Sequence, residues 1–135
     1  MPVCGASACR PTPTPIDNVR QISNRFTGRL GIEIATELYL RGADTLLIHG
    51  NGRARPHDWL PHSCTASYDE YHEAVMHALR DKAYAAGVFS AAVADYRTDD
   101  ILPGKAKVIG SMSLRLIPTD KIIDAVQTSY PDLYM

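Results

Sequence analysis

Twice in this chain an amphipathic helical stripe runs up to a glycine and is followed at once by a short apolar run. This alternation limits the fold more than any other feature. The first stripe begins near Asn24 or Thr27 and reaches about Arg41, with Leu30, Ile34, Ala35 and Leu38 sharing one face and Gly42 as its stop. Asp44 to His49 then reads as a buried strand, closed by Gly50-Asn51-Gly52. The second stripe covers about Ser67 to Ala86, where Ser67 caps the start and Glu70 takes the capping-box position. Its face is Tyr71, Val75, Leu79 and Ala83, Gly87 ends it, and Val88 to Ala94 follows as a strand of small apolar residues.

The remaining segments fit around this alternation. Pro2 to Ala8 is predicted as a short strand. Arg10 to Pro15 carries three alternate prolines, each fixing its own φ and extending its neighbour, so a stiff loop is expected. Ile16 to Ser23 reads as irregular chain, Arg53 to Pro61 as a surface loop and His62 to Ala66 as a short strand. A strand near Leu114 to Ile117 and a helix near Asp120 to Val126 complete the order. Strands alternating with helices point to an α/β fold of three layers with a mostly parallel sheet, in one domain spanning residues 1–135. Ligands in such sheets bind beyond the carboxyl ends of the strands, so loops 10–28, 50–61 and 94–107 are expected to converge there.

Charge and cysteine content narrow the chemistry. A formal net charge of −1 argues against a nucleic acid or an anionic membrane surface as the main partner. No run of 18 apolar residues suggests a membrane span, and Met1 to Gly5 lacks the pattern of a secretory signal. Cys4, Cys9 and Cys64 have no zinc-ligand spacing and read as reduced thiols, so a cytoplasmic location is expected. His72 and His77 fall on different faces of one helix, and the interval from His57 to His62 falls in loop, so spacing assembles no metal site; the metal ligands stay unassigned. Trp59, beside prolines, reads as a loop anchor. Neither GxxxxGK[ST] nor GxGxxG occurs, nor a nucleophile elbow.

Two loops offer binding chemistry. Around Thr27-Gly28-Arg29-Leu30-Gly31 a helix start supplies free N–H groups, a hydroxyl and close-approach glycines, which suits an oligophosphate. An ordinary capped helix is the alternative. In Ser90 to Arg97, alanines at a strand end admit a flat ring, and Asp95 can accept hydrogen bonds from ribose or base; a packed strand with a solvated turn explains the same residues. Lys105 and Lys107 bring cations back to this rim, either as solvated loop charges or as point charges for phosphate.

Together these segments resemble the phosphopantothenate–cysteine ligase (phosphopantothenoylcysteine synthetase) family, the carboxyl-terminal half of the bifunctional coenzyme A flavoprotein. The matching stretches are Pro15 to Gly31, Arg41 to Asp44, Ala91 to Arg97 and Lys105 to Lys107, in family order and at family spacing. The resemblance implies a Rossmann-like, dimeric α/β fold. It also implies ligation of 4′-phosphopantothenate to cysteine through an acyl-nucleotide, in coenzyme A biosynthesis. CTP or ATP is the implied co-substrate, with Mg²⁺. By position, Asn24 matches the asparagine that holds the activated acyl group, and Thr27 and Gly28 match a Ser-Gly turn on the phosphates. Ala91 and Asp95 match nucleotide contacts, and Lys105 the lysine facing the triphosphate. Arg10-Pro11-Thr12 stands where the family has Gly-Gly-Thr, Phe26 replaces a serine, and family members continue past the equivalent of Met135. A shortened ligase domain is therefore expected, as a homodimer or with a partner chain supplying the rest. The alternative is a non-catalytic nucleotide-binding fragment or a subunit of a split ligase.

Overall fold

A computed structural model describes residues 2–6, 14–23, 26–90, 93–105 and 110–135. Its centre is a four-stranded sheet made of β1 (Pro2–Ala6), β4 (Asp44–Gly50), β5 (His62–Thr65) and β6 (Ala86–Gly87), in the order β5-β4-β1-β6. Every pairing in this sheet is parallel: β1 with β4 and β6, and β4 with β5. Two further ladders are antiparallel and separate from it. One joins β2 (Thr14–Pro15) to β3 (Gln21–Ile22), the other β7 (Tyr96–Thr98) to β8 (Leu116–Pro118).

Successive residues of a strand point to opposite faces, and β4 uses this to feed two cores. Leu47 packs with Ile32, Ala35 and Leu60 on the side of α1 (Arg29–Leu40). Ile48 packs on the other side, with Tyr71, Val75, Ala78 and Leu79 of α2 (Tyr68–Asp81) and Ile122 and Val126 of α3 (Ile122–Ser129). A continuous apolar strand is what such two-sided burial requires. Each fully buried Leu or Ile contributes roughly 1.5–3 kcal/mol relative to exposure.

The rotation of α1 differs from expectation. Its buried residues are Gly31, Ile32 and Ala35, whereas Leu30 is 64% exposed. Apolar residues stand at so many positions of this helix that spacing alone leaves its rotation open. Gly31 and Ala35, four apart, let the helix axis approach the sheet closely, and the larger Leu30 turns outward. The expected stop is correct: Gly42, at φ +84°, donates to the Tyr39 carbonyl while Ala43 donates to that of Leu38. This is a Schellman closure, which favours glycine.

At the start of α2, Ser67 Oγ accepts from the Glu70 amide at 3.2 Å, and the Glu70 carboxylate accepts from the Ala66 amide at 2.7 Å. The predicted end is wrong. The helix stops at Asp81 instead of near Ala86, and Lys82 turns to extended geometry and pairs with Asp44 at the start of β4. Gly87 therefore ends no helix. It pairs with Cys4 in the sheet, where a Cβ would come 2.8 Å from the Phe89 ring. Sheet pairing has overridden the helical pattern of the last residues.

Three other expectations need correction. Ile16 to Ser23 contains a strand of the β2–β3 hairpin. Val88–Ser90, Val93 and Ala94 are not strand; Ala91 and Ala92 lie outside the described residues. The strand expected at Leu114 to Ile117 is β8, which pairs antiparallel with β7, away from the main sheet. At the β6 edge, Tyr134 donates to the Ala85 carbonyl and accepts from the Gly87 amide. No helix among the described residues is long and apolar enough to cross a membrane.

Candidate functional site

In a parallel sheet, the loops after β1 and β4 leave from the same edge, and α1, running back between them, presents its amino end there. The loops that follow these strands are joined by specific bonds. The Ala54 amide donates to the Thr27 carbonyl at 3.4 Å, linking the second loop to the foot of α1. Among the described residues, four hydrogen bonds fasten the first loop to the third. Thr14 Oγ1 donates to the Tyr96 carbonyl at 3.1 Å, and Thr98 Oγ1 to that of Pro15 at 2.7 Å. The Leu102 amide donates to the Ile16 carbonyl at 3.0 Å, and the Asn18 amide to that of Gly104 at 3.1 Å. The expected convergence of the three loops therefore holds over their described parts.

Buried polar side chains organise this junction. Thr14, Asp17 and Thr98 are all buried, and the Asp17 carboxylate is wholly inaccessible. Its Oδ1 accepts from the amides of Val19 at 2.8 Å and Arg20 at 2.7 Å, and its Oδ2 from Arg20 Nε at 3.0 Å and Nη2 at 2.7 Å. Such charge-assisted bonds are strong, and they offset the cost of burying the carboxylate. They also close the turn between β2 and β3, where the Ile16 amide donates to the Arg20 carbonyl at 2.8 Å. Sequence reasoning missed this residue. The available signal was an Asp–Arg pair three apart, next to prolines, in a segment read as irregular.

Gly28 is the N-cap of α1 at φ +82°, a left-handed conformation open to glycine at little cost, and the cap makes no side-chain hydrogen bond to the helix. Thr27 Oγ1 reaches the Arg29 amide only at 3.5 Å. A twelve-residue helix with its first amides so lightly capped offers N–H donors and a positive dipole end to an anion. Asp95 is exposed at the tip before β7; its backbone carbonyl accepts from the Thr119 amide at 2.9 Å, leaving the carboxylate at the surface. Lys105 is exposed directly after Gly104, the residue that Asn18 holds. Asn24 and Ala91 lie outside the described residues. Thr27 and Gly28 thus stand at one end of the first loop, and Asp95 and Lys105 on the loop stitched to its other end.

A histidine pair and a groove beside α1 were not expected. His49 is buried at the end of β4, with Nε2 3.0 Å from His62 Nδ1. Spacing along one element could not find this pair, because it forms across two neighbouring strands. Trp59 stacks against His57 with ring centroids 4.9 Å apart and tilts against Tyr39 at 5.5 Å, so it does anchor the second loop to α1. An open groove of about 470 Å³ lies there, lined by Arg29, Ile32, Glu33, Thr36, Arg55 and His57 among others, with none of the expected site residues in its wall. Among the described residues no three His, Cys, Asp or Glu side chains gather to hold a metal ion.

Residues 8–133 match the model of the DNA/pantothenate metabolism flavoprotein C-terminal domain. The chain belongs to that family. Within it, the chain is similar to the coenzyme A biosynthesis bifunctional protein CoaBC of Thermococcus kodakarensis. The two are 33% identical over 120 residues, which are 89% of this chain and 30% of that protein. The chain therefore spans less than a third of that relative's length. Its fold is similar to the crystal structure of a CoaBC C-terminal domain, at a TM-score of 0.77 and 23% identity, covering 97% of this chain and 60% of that one. It is also similar to the DNA/pantothenate metabolism flavoprotein from Streptococcus pneumoniae, at a TM-score of 0.80 and 23% identity, covering 98% and 66%.

Proposed function

We propose that this domain carries the nucleotide half of a phosphopantothenate–cysteine ligase site, on a Rossmann-like α/β scaffold. The observation that carries the reading is the family match over residues 8–133, together with the stitching of the loops around the start of α1. In the reaction, a carboxylate oxygen of 4′-phosphopantothenate attacks the α-phosphorus of CTP or ATP and pyrophosphate leaves. The cysteine amine then attacks the acyl carbon, gives up a proton, and releases the nucleoside monophosphate as the amide forms. The reaction belongs to coenzyme A biosynthesis, and the domain works in the cytoplasm, as a homodimer or beside a partner chain completing the site.

Each residue has a physical role in this reading. The α1 amides and Thr27 Oγ1 meet phosphate oxygens, and Gly28 keeps a side chain out of their path. Lys105 supplies a point charge to the outer phosphates, and Asp95 accepts from ribose or base. Ala91 lets the base ring approach. The Asn24 amide donates to the acyl oxygen as negative charge develops there. Mg²⁺ would travel with the nucleotide and would neutralise part of its phosphate charge.

A thermal-shift titration tests the reading, with Mg²⁺ plus CTP, ATP or NADH, each with and without 4′-phosphopantothenate. A ligand at ~100 times its Kd stabilises the folded state by roughly 2.7 kcal/mol. Stabilisation by CTP or ATP and none by NADH is expected, and the stronger of the two names the co-substrate. No response to either triphosphate would overturn the reading.

A further inference from the structure

The Asp17 carboxylate accepts four hydrogen bonds from its own turn, two from the Val19 and Arg20 amides and two from the Arg20 guanidinium. The residues on either side of Asp17 do something else. The Ile16 carbonyl accepts from Leu102 and the Asn18 amide donates to Gly104, so backbone bonds from both neighbours cross to the third loop. Asp17 itself forms a parallel bridge with Leu102. The shape that the carboxylate imposes on residues 16–20 is thereby passed to residues 102–104. The next residue is Lys105, an exposed ammonium on a flexible four-carbon stem, whose reach depends on where its backbone stands.

We infer that Asp17 is a positioning residue for the nucleotide's outer phosphates, acting through Lys105. The inference rests on the ligase reading of the same loops. Asp17 touches no substrate in this scheme. Its buried charge locks the turn, the turn locks the Gly104 carbonyl, and the lysine is delivered to the rim where the triphosphate would lie. Without that charge the turn loosens and Lys105 samples a wider space, so its contact with the outer phosphates weakens. A monophosphate has no outer phosphates and should be indifferent.

The test measures the Kd of CTP and of CMP, both with Mg²⁺, for the full chain, Asp17→Asn, Lys105→Ala and the double variant. Each single variant should weaken CTP binding on the order of tenfold, the scale of one charge-assisted hydrogen bond, with CMP changed by less than about twofold. The double variant should bind CTP no more weakly than Lys105→Ala alone, because the two residues act in series. Additive losses, or equal losses for CTP and CMP, would show that Asp17 serves only the fold and would overturn the inference. If Lys105→Ala matters and Asp17→Asn does not, the inference alone fails. If Lys105→Ala leaves CTP binding unchanged, the phosphate role of Lys105 fails first and takes the inference with it. Should Asp17→Asn not fold, the unmodified chain provides the second arm. CTP should then slow amide exchange at Asn18 and Leu102 more than CMP does, and equal exchange with both nucleotides bound would overturn the inference.

Discussion

His49 and His62, thirteen positions apart in the chain, meet ring to ring, with Nε2 of the first 3.0 Å from Nδ1 of the second. The Nδ1 of His49 lies 2.9 Å from the Gly50 carbonyl, which can only accept. His49 therefore carries its proton on Nδ1 and accepts from His62 at Nε2. A second proton on His49 would require His62 to give up its Nδ1 proton and accept instead. Burial holds the His49 pKa below its ordinary 6.5; the bond to Gly50 pulls upward, and the charges of His62 and Arg55 push further down.

The sign of the resulting pH dependence follows. In the unfolded chain His49 takes up a proton near pH 6.5, but in the folded chain it does so only at lower pH. Its contribution is complete above pH 6.5 and is lost as pH falls through the depressed folded value. The Tm should therefore fall between pH 7.5 and pH 5.5, and His49→Gln should flatten that slope. Equal slopes for the two proteins would remove His49 as the cause.

The rotation of α1 gives a second prediction. Ile32 is 7% exposed and packs against Leu47, whereas Leu30 stands in solvent. Ile32→Ala should cost roughly 2–5 kcal/mol by chemical denaturation. Leu30→Ala should stay within about 0.5 kcal/mol of the parent. The reverse order would restore the face that periodicity favoured.

Gly28 supports a third. At φ +82°, a Cβ adds left-handed strain of about 1–2 kcal/mol, so Gly28→Ala should lower the Tm by several degrees. It should also weaken triphosphate binding, since the added carbon stands at the mouth of α1. Unchanged Tm and unchanged binding together would show that neither the conformation nor the open space matters.

A fourth concerns Asn24. If its amide stabilises the acyl oxygen, Asn24→Ala should reduce product formation on the order of 10²–10³-fold, the scale for loss of one oxyanion donor. Nucleotide affinity, read by the same thermal titration, should stay within a few-fold. Turnover at the parent's rate would remove that role.

The sequence alone determined the two long helices, the stop of α1, the start of α2 and the central strand. Ser67 and Glu70 cap α2, Gly42 closes α1, and the Asp44 to His49 run makes a central strand, because caps, positive-φ glycines and apolar runs act through neighbours along the chain. It also located the three loops that meet. What tertiary structure decided was everything set by contact between distant segments. Gly31 and Ala35 turned α1 to fit the sheet, pairing with β1 claimed Ala86 from a predicted helix and Gly87 from its predicted stop, and β8 went to β7 instead of the main sheet. The buried Asp17 junction and the His49–His62 pair belong to the same class. Their bonds depend on the burial of polar groups between strands and loops, and burial is a property of the packed chain that local residue order does not encode.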